Sequence, residues 1–126
     1  MQLTSNNIVH EKSKTFAIRV IRFVRFLQIE KKDFVLSNQI LRSGTSIGAN
    51  VRESKNAQSI ADFINKLSIA LKEADETLYW LELLFESDTI DETIFNSLYN
   101  YVKELIALLT SIIKNTKNNN KPKHWE

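Results

Sequence analysis

The sequence predicts an all-α fold, and three observations support this prediction. Only two glycines and one proline occur in 126 residues, so the residues that β-hairpins and tight turns require are scarce. Apolar residues recur three and four positions apart over four long segments, as they do on one face of a helix. The segments are joined by only a few residues, which favours antiparallel neighbours. We therefore expect a single domain, residues 1–117, folded as an antiparallel up-down-up-down four-helix bundle.

Helices one and two are predicted from their apolar stripes. Helix one is expected at about residues 10–30, and its stripe consists of Phe16, Val20, Phe23 and Leu27. Helix two is expected at about residues 38–56, with the Ser37 side chain as its N-cap. Its stripe consists of Ile40, Ile47 and Val51.

Helices three and four carry longer stripes and clearer start signals. Helix three is expected over residues 60–86, because Ser59 and Asp62 form a near capping box. Its stripe consists of Ile60, Phe63, Leu67, Ala70, Ala74, Leu78, Leu81 and Phe85. Helix four is expected over residues 92–115, with Asp91 as its cap. Its stripe consists of Ile94, Leu98, Tyr101, Leu105, Leu108 and Ile112. Residues 118–126 are polar and basic and are predicted to be disordered, with no role assigned to Trp125.

Composition limits the classes of protein to which the chain can belong. It has no cysteine, which excludes disulfide frameworks and thiolate chemistry. Its first residues lack the apolar centre of a signal peptide, and no run approaches the roughly 20 apolar residues of a membrane span. We therefore expect a soluble, cytoplasmic protein that does not enter a membrane.

Helix two contains an unusual run of small residues, RSGTSIGANVRES, at residues 42–54. Glycine inside a helix costs about 1 kcal/mol relative to alanine, yet Gly44 and Gly48 lie one turn apart. We interpret them as a flat strip that lets another helix approach closely. Their polar neighbours are expected to bond backbone carbonyls or an adjacent helix; these are Ser43, Thr45, Ser46 and Asn50. A phosphate-binding loop is excluded, because its preceding strand and its glycine–lysine spacing are both missing.

Charge is unevenly distributed along the chain. Residues 1–57 hold ten Lys and Arg against four Asp and Glu, whereas residues 58–113 hold three against ten. Arginine binds phosphates bidentately, so a basic stripe of this kind could bind RNA or DNA. The candidate residues are Lys12, Lys14, Arg19, Arg22, Arg25, Lys31, Lys32, Arg42 and Arg52. An alternative stays open, in which some of these side chains pair with the acidic helix three.

Several large apolar residues fall on the outward faces of the predicted helices. They are Ile18, Phe26 and Ile29 on helix one, among the arginines, and Ile69 and Trp80 on helix three, among carboxylates. A monomeric bundle does not need such faces. We therefore predict a homo-oligomer whose subunits pack through these residues.

No catalytic or metal-binding constellation is recognisable. Di-iron bundles need Glu-x-x-His pairs, which are missing. His10 and His124 are expected at or beyond the ends of the ordered region, and Glu73 and Glu76 are expected to be solvated or salt-bridged. We expect no enzymatic activity, no metal and no cofactor.

Residues 39–84 resemble the bacterial four-helix bundle proteins encoded within intervening sequences of 23S ribosomal RNA genes. The resemblance is carried by SGTSIGAN in helix two and by ALKEADETLYWL in helix three. It implies assembly into a homopentameric barrel. It also implies a relationship to the accessory variability proteins of diversity-generating retroelements, which are pentamers with a basic surface that engage a reverse transcriptase and nucleic acid.

Two functional hypotheses follow. The first is a non-catalytic, ring-forming protein that associates with ribosomal RNA or another nucleic acid through its basic stripe. The second is a protein-interaction scaffold, in which the same basic helix docks an acidic or polymerase-type protein partner.

Overall fold

A computed structural model describes residues 5–120 of the chain, and these residues form four α-helices and no strand. The helices are α1 (Ser5–Ile29), α2 (Val35–Ser54), α3 (Ile60–Glu86) and α4 (Glu92–Asn119). The predicted all-α class is therefore confirmed for this part of the chain. Most of the segment predicted to be disordered, including Trp125, lies outside the described residues. Its first two residues, 118 and 119, belong to α4.

Two helices are longer than their apolar stripes indicated. α1 begins at Ser5, five residues before the predicted start, and its extra turn buries Val9 in the core. α4 continues to Asn119, because Ile112 and Ile113 are both buried and the Thr116 hydroxyl donates to the carbonyl of Ile112. Packing thus extends both helices into sequence that is too polar to show a clear period.

The start of α2 differs from the prediction. Ser37 is not the N-cap, since α2 begins at Val35 and Ser37 is fully buried. Instead, Asp33 Oδ1 accepts a hydrogen bond from the backbone N–H of Ser37 at 3.0 Å, and the Ser37 hydroxyl donates to the Asp33 carbonyl at 2.7 Å. The carboxylate of Asp33 therefore satisfies a free N–H of the first turn, which is the task assigned to Ser37. α2 ends at Ser54, two residues before the predicted end.

The predicted caps of α3 and α4 are confirmed. Ser59 Oγ accepts the backbone N–H of Asp62 at 3.0 Å, and Asp62 Oδ2 accepts the N–H of Gln58 at 3.2 Å. Asp91 Oδ1 accepts the backbone N–H of Ile94 at 2.8 Å. These local bonds fix where both helices begin.

The turns after α1 and α3 each contain one residue in the left-handed region. These residues are Lys32, with φ 54°, and Asp88, with φ 62°. After α3, the N–H of Thr89 bonds the carbonyl of Leu84 at 2.9 Å, as in a Schellman ending. Neither left-handed residue is a glycine.

The four helices surround one core. Each helix contacts the next in sequence, and α1 also contacts α4. Every helix contributes fully buried side chains, which include Phe16, Val20, Leu27, Ile40, Ile47, Leu81, Leu105 and Leu109. Ile60 was predicted to lie in the core but is 48% exposed. It is the first residue of α3, beside the turn that follows α2, where fewer neighbours cover it.

Candidate functional site

The two glycines of α2 lie against α1. A Cβ atom built on Gly44 would lie 2.8 Å from Cγ2 of Val20, and one built on Gly48 would lie 3.2 Å from the backbone oxygen of Ser13. Favourable separations between carbon atoms are about 3.5–4.0 Å. Because Val20 is buried and branched, it has little room to move away. The α1–α2 contact thus leaves little space for a Cβ atom at these two positions.

The polar neighbours of the glycines find partners, as the sequence predicted. Thr45, Ser46 and Asn50 each donate to the carbonyl four residues earlier, at 2.6, 2.6 and 2.9 Å. Ser43 is fully buried, and its hydroxyl accepts a hydrogen bond from the Thr77 hydroxyl of α3 at 2.9 Å. The hydroxyls are therefore used within the fold.

Two basic residues of α1 contact α4. Lys12 Nζ lies 3.4 Å from Oε2 of Glu104, and Arg19 Nη2 donates to Ser97 Oγ at 2.7 Å. The ring of Tyr101 lies between them, 5.4 Å from Lys12 Nζ and 5.5 Å from the centre of the Arg19 guanidinium. These two cations thus help to hold α1 against α4.

Arg42 shows the pairing that the sequence left open as an alternative. Its guanidinium reaches α3, where it lies 2.6 Å from a carboxylate oxygen of Glu76 and 3.2 Å from one of Glu73. The hydrogen bond to Glu76 is the main reason why the pKa of Arg42 is raised, and both carboxylates add Coulomb attraction. Much of the Arg42 charge is therefore balanced within the chain.

Five other candidates make no ion pair, no side-chain hydrogen bond and no contact with an aromatic ring within residues 5–120. They are Lys14, Arg22, Arg25, Lys32 and Arg52, which we call the free basic set. All five are exposed. The remaining candidate, Lys31, lies with its Nζ 5.9 Å from the centroid of the Phe26 ring. The free basic set lies on α1, on α2 and in the turn between them.

His10 is placed differently from the sequence expectation. Because α1 begins at Ser5, His10 lies inside this helix rather than at the end of the ordered region. It is half-buried, and its Nδ1 is shielded from solvent with no hydrogen-bond partner among the described residues. Only a prediction that α1 begins before residue 10 would have placed His10 inside the helix. His124 lies outside the described residues.

The candidate interface residues divide into two groups. Ile18 and Ile29 are exposed, at 44% and 63%, whereas Phe26, Ile69 and Trp80 are half-buried. Phe26 and Trp80 also pack against the core, and the Trp80 indole nitrogen is buried without a hydrogen-bond partner among residues 5–120. Further apolar side chains that were not predicted as interface residues are exposed, and these are Ile21, Phe34, Val35 and Tyr79. Each of them lies next to other apolar residues in the sequence, which gives no signal of exposure.

Grooves lie on both sides of α1. One of about 460 Å³ separates α1 from α4 and is lined by Arg19, Arg22, Phe23 and Phe26 together with residues of α4. A smaller one of about 290 Å³ lies between α1 and α2. Within residues 5–120, no group of three or more His, Asp or Glu side chains is arranged to hold a metal ion. No helix among these residues has the length and apolar character needed to cross a membrane.

Comparison with known proteins gives the family. The family model described as 23S rRNA-intervening sequence protein matches residues 5–111. A crystal structure of a protein of unknown function from the S23 ribosomal protein family of Bacteroides thetaiotaomicron is similar to the chain, with 56% identity and a TM-score of 0.87. The match covers 88% of this chain and 99% of that one. A search of curated protein sequences finds no match. The chain therefore belongs to the 23S rRNA-intervening sequence protein family.

Proposed function

We propose that the protein is a non-catalytic, cytoplasmic protein that binds RNA, with ribosomal RNA as the first candidate, through the basic surface of α1 and α2. The observation that carries the proposal is the free basic set, five exposed cations without acidic partners in the described chain. The family description, which names 23S rRNA, suggests the kind of polyanion.

The spacing of these cations supports contact with a phosphate backbone. Lys14, Arg22 and Arg25 lie on α1 at intervals of eight and three residues, which places them on one side of the helix. Arginine forms bidentate hydrogen bonds with phosphate, and each phosphate contact releases counterions. Affinity should therefore depend steeply on salt concentration.

The proposal includes the up-down-up-down arrangement of the helices. In support, contacts between neighbouring helices pair residues in opposite order. Lys12 meets Glu104, whereas Arg19, further along α1, meets Ser97. The same order relates α2 to α3, where Arg42 meets Glu76 and Glu53 meets Lys66.

The proposal also includes assembly into a homo-oligomer, with a pentamer as the expected form. It is supported by the exposed apolar residues of α1, which alternate with arginines, and by the acidic α3 that a neighbouring subunit could present to them. A ring of subunits would repeat the basic surface and raise its avidity for a long polyanion.

The RNA proposal is tested by fluorescence anisotropy with a structured ribosomal RNA hairpin over a series of salt concentrations. The double variant Arg22→Gln/Arg25→Gln should bind more weakly, with a salt slope shallower by about two phosphate contacts at about 0.9 each. The matched control is Lys103→Gln/Lys114→Gln, which removes two exposed cations from α4. No binding at low salt by folded wild-type protein would refute RNA binding and favour the scaffold hypothesis, with an acidic or polymerase-type protein as the partner.

The oligomer is tested by light scattering. Ile18→Asp and Ile29→Asp should lower the mass in solution. Each residue is exposed in the single subunit, and the proposed subunit contact would bury the new charge without a partner. Ser111→Asp, on the exposed side of α4, is the control. Phe26→Asp and Trp80→Asp are less decisive, since both side chains also pack against the core. An unchanged mass in both isoleucine variants would contradict an interface on this face.

A further inference from the structure

We propose that the groove between α1 and α2 is a binding site for a single phosphate group, held by His10, Lys14 and Arg52. The groove has a volume of about 290 Å³ and is lined by these three side chains and by Ala17, Thr45, Gly48 and Ala49. That the phosphate belongs to an RNA backbone rests on the proposed function, whereas the site itself does not.

The close approach of α1 and α2 creates the groove. At Gly48 the helix backbones come so near that an added Cβ would lie 3.2 Å from the Ser13 carbonyl oxygen. The adjacent residues, Ala17 and Ala49, are also small, so no large side chain fills the space above the contact. The contact therefore leaves a shallow concavity with a narrow apolar floor.

The rim of this concavity is positively charged. Lys14 comes from α1 and Arg52 from α2, and both are exposed and without an ion pair within residues 5–120. No acidic side chain lines the groove. Of the two nearest carboxylates in sequence, Glu53 pairs with Lys66 of α3 at 3.6 Å, and Glu11 is exposed outside the lining. Two cations from different helices thus share one concavity without a neutralising partner.

His10 adds a third group to the same concavity. Its imidazole lines the groove, and because Nδ1 is shielded from solvent, Nε2 is the nitrogen that can reach a ligand there. Imidazole, ammonium and guanidinium groups all donate hydrogen bonds to anionic oxygens. Thr45 contributes no donor, because its hydroxyl proton is directed to the carbonyl of Leu41 at 2.6 Å. The donors available therefore match the several oxygens of a phosphate.

The size and chemistry of the groove favour a phosphate over a nucleobase. Small-molecule sites usually range from about 300 to 1,000 Å³, so this groove is at the lower limit. A base would need an aromatic face on which to stack, and His10 is the only aromatic ring in the lining. A phosphate with part of its sugar fits the volume and the charge better.

The site is tested with two probes, inorganic phosphate and the ribosomal RNA hairpin. NMR of the labelled protein follows the His10 ring and the Arg52 side chain during a phosphate titration, and anisotropy follows the RNA. Lys14→Gln/Arg52→Gln should weaken phosphate binding at least tenfold and RNA binding at least fivefold. The control Lys103→Gln/Lys114→Gln should change neither. His10→Phe, which keeps a planar aromatic ring and removes both nitrogens, should weaken phosphate binding while its circular dichroism remains that of a folded helical protein.

The outcomes separate the site from the proposed function. Loss of both phosphate and RNA binding in the groove variants supports the site on an RNA backbone. Loss of phosphate binding alone supports a site for a free phosphate or phosphate ester. Saturable shifts at His10 and Arg52 in a protein that binds no RNA would support the site and contradict the proposed function. If phosphate shifts neither residue and RNA affinity is the same in the groove variants, the site is refuted even when Arg22→Gln/Arg25→Gln still weakens RNA binding.

Discussion

Helix α1 is held by two neighbours in two different ways. Against α2 it packs closely because two residues of α2 have no side chain. Gly44 accommodates Val20, and Gly48 accommodates the backbone of Ser13. Against α4 it packs through long polar and aromatic side chains. The first contact is therefore sensitive to added volume, and the second is sensitive to lost functional groups.

The α1–α4 contact combines several modest interactions. Phe16 stacks on Tyr101 with ring centroids 5.7 Å apart, and the Tyr101 hydroxyl donates to the carbonyl of Lys12 at 3.1 Å. The groove beside these contacts leaves the two helices partly separated. Because this contact consists of several separate interactions, removal of one of them should lower the unfolding free energy less than overpacking of the glycine contact does.

The largest expected effect is at the glycine contact. Gly44→Leu and Gly48→Leu should each lower the free energy of unfolding by more than about 2 kcal/mol, because the added side chain overpacks the α1–α2 contact. Urea unfolding followed by circular dichroism measures this change. Gln39→Leu, at an exposed position of α2, should change stability by less than about 0.5 kcal/mol.

A second pair of variants tests whether crowding by Val20 causes the loss of stability at Gly44. Gly44→Ala should destabilise the protein, although alanine is the better helix former by about 1 kcal/mol, because its Cβ would lie 2.8 Å from Val20. In a Val20→Ala background, which removes the crowding atoms, the same change should become neutral or stabilising. Wild-type stability in either leucine variant, or equal effects of Gly44→Ala in both backgrounds, would show that the volume argument is wrong.

An intermediate effect is expected at Tyr101. Tyr101→Phe keeps the ring stacked on Phe16 but removes the hydrogen bond to the Lys12 carbonyl. The expected cost is about 1 kcal/mol in unfolding free energy. Tyr79→Phe is the control, since the Tyr79 side chain is exposed and makes no hydrogen bond within residues 5–120. Equal losses of unfolding free energy in both variants would show that the Tyr101 hydrogen bond does not stabilise the α1–α4 contact.

The smallest effect is expected for the Lys12–Glu104 pair. Both side chains are substantially exposed and their charged atoms are 3.4 Å apart. A double-mutant cycle with Lys12→Gln and Glu104→Gln should give a coupling of about 0.2–1 kcal/mol that decreases with added salt. A coupling above about 2 kcal/mol would contradict the conclusion that the α1–α4 contact is made of individually modest interactions.

The sequence predicts those parts of the molecule that depend on local patterns. The buried stripes of α1 and α2 follow from spacing, and the caps Ser59 and Asp91 follow from side chains that reach only three residues along the chain. At the start of α2, the sequence predicts a cap at Ser37, but the carboxylate of Asp33 provides it. The choice depends on burial of Ser37, which only the packed structure reveals.

The candidate site was less predictable because it depends on which residues meet across helices. Nothing in the local sequence around Arg42 distinguishes it from Arg22, yet Arg42 reaches two carboxylates 31 and 34 residues away. His10 was assigned to a chain end because the polar residues before it hide the first turn of α1. For Arg42 the missing information is the register between α2 and α3, and for His10 it is the packing of Val9 that extends α1.

The left-handed backbone of the turn after α1 affects which substitutions this protein can accept over evolutionary time. Lys32 has a left-handed backbone, which costs a residue with a side chain about 1–2 kcal/mol and costs glycine almost nothing. The two glycines of the chain lie in α2 instead. A glycine at position 32 would therefore add stability remote from the glycine contact, with the loss of one cation from the free basic set. Such a reserve would let the basic surface acquire destabilising substitutions, and with them new binding properties, while the fold is preserved.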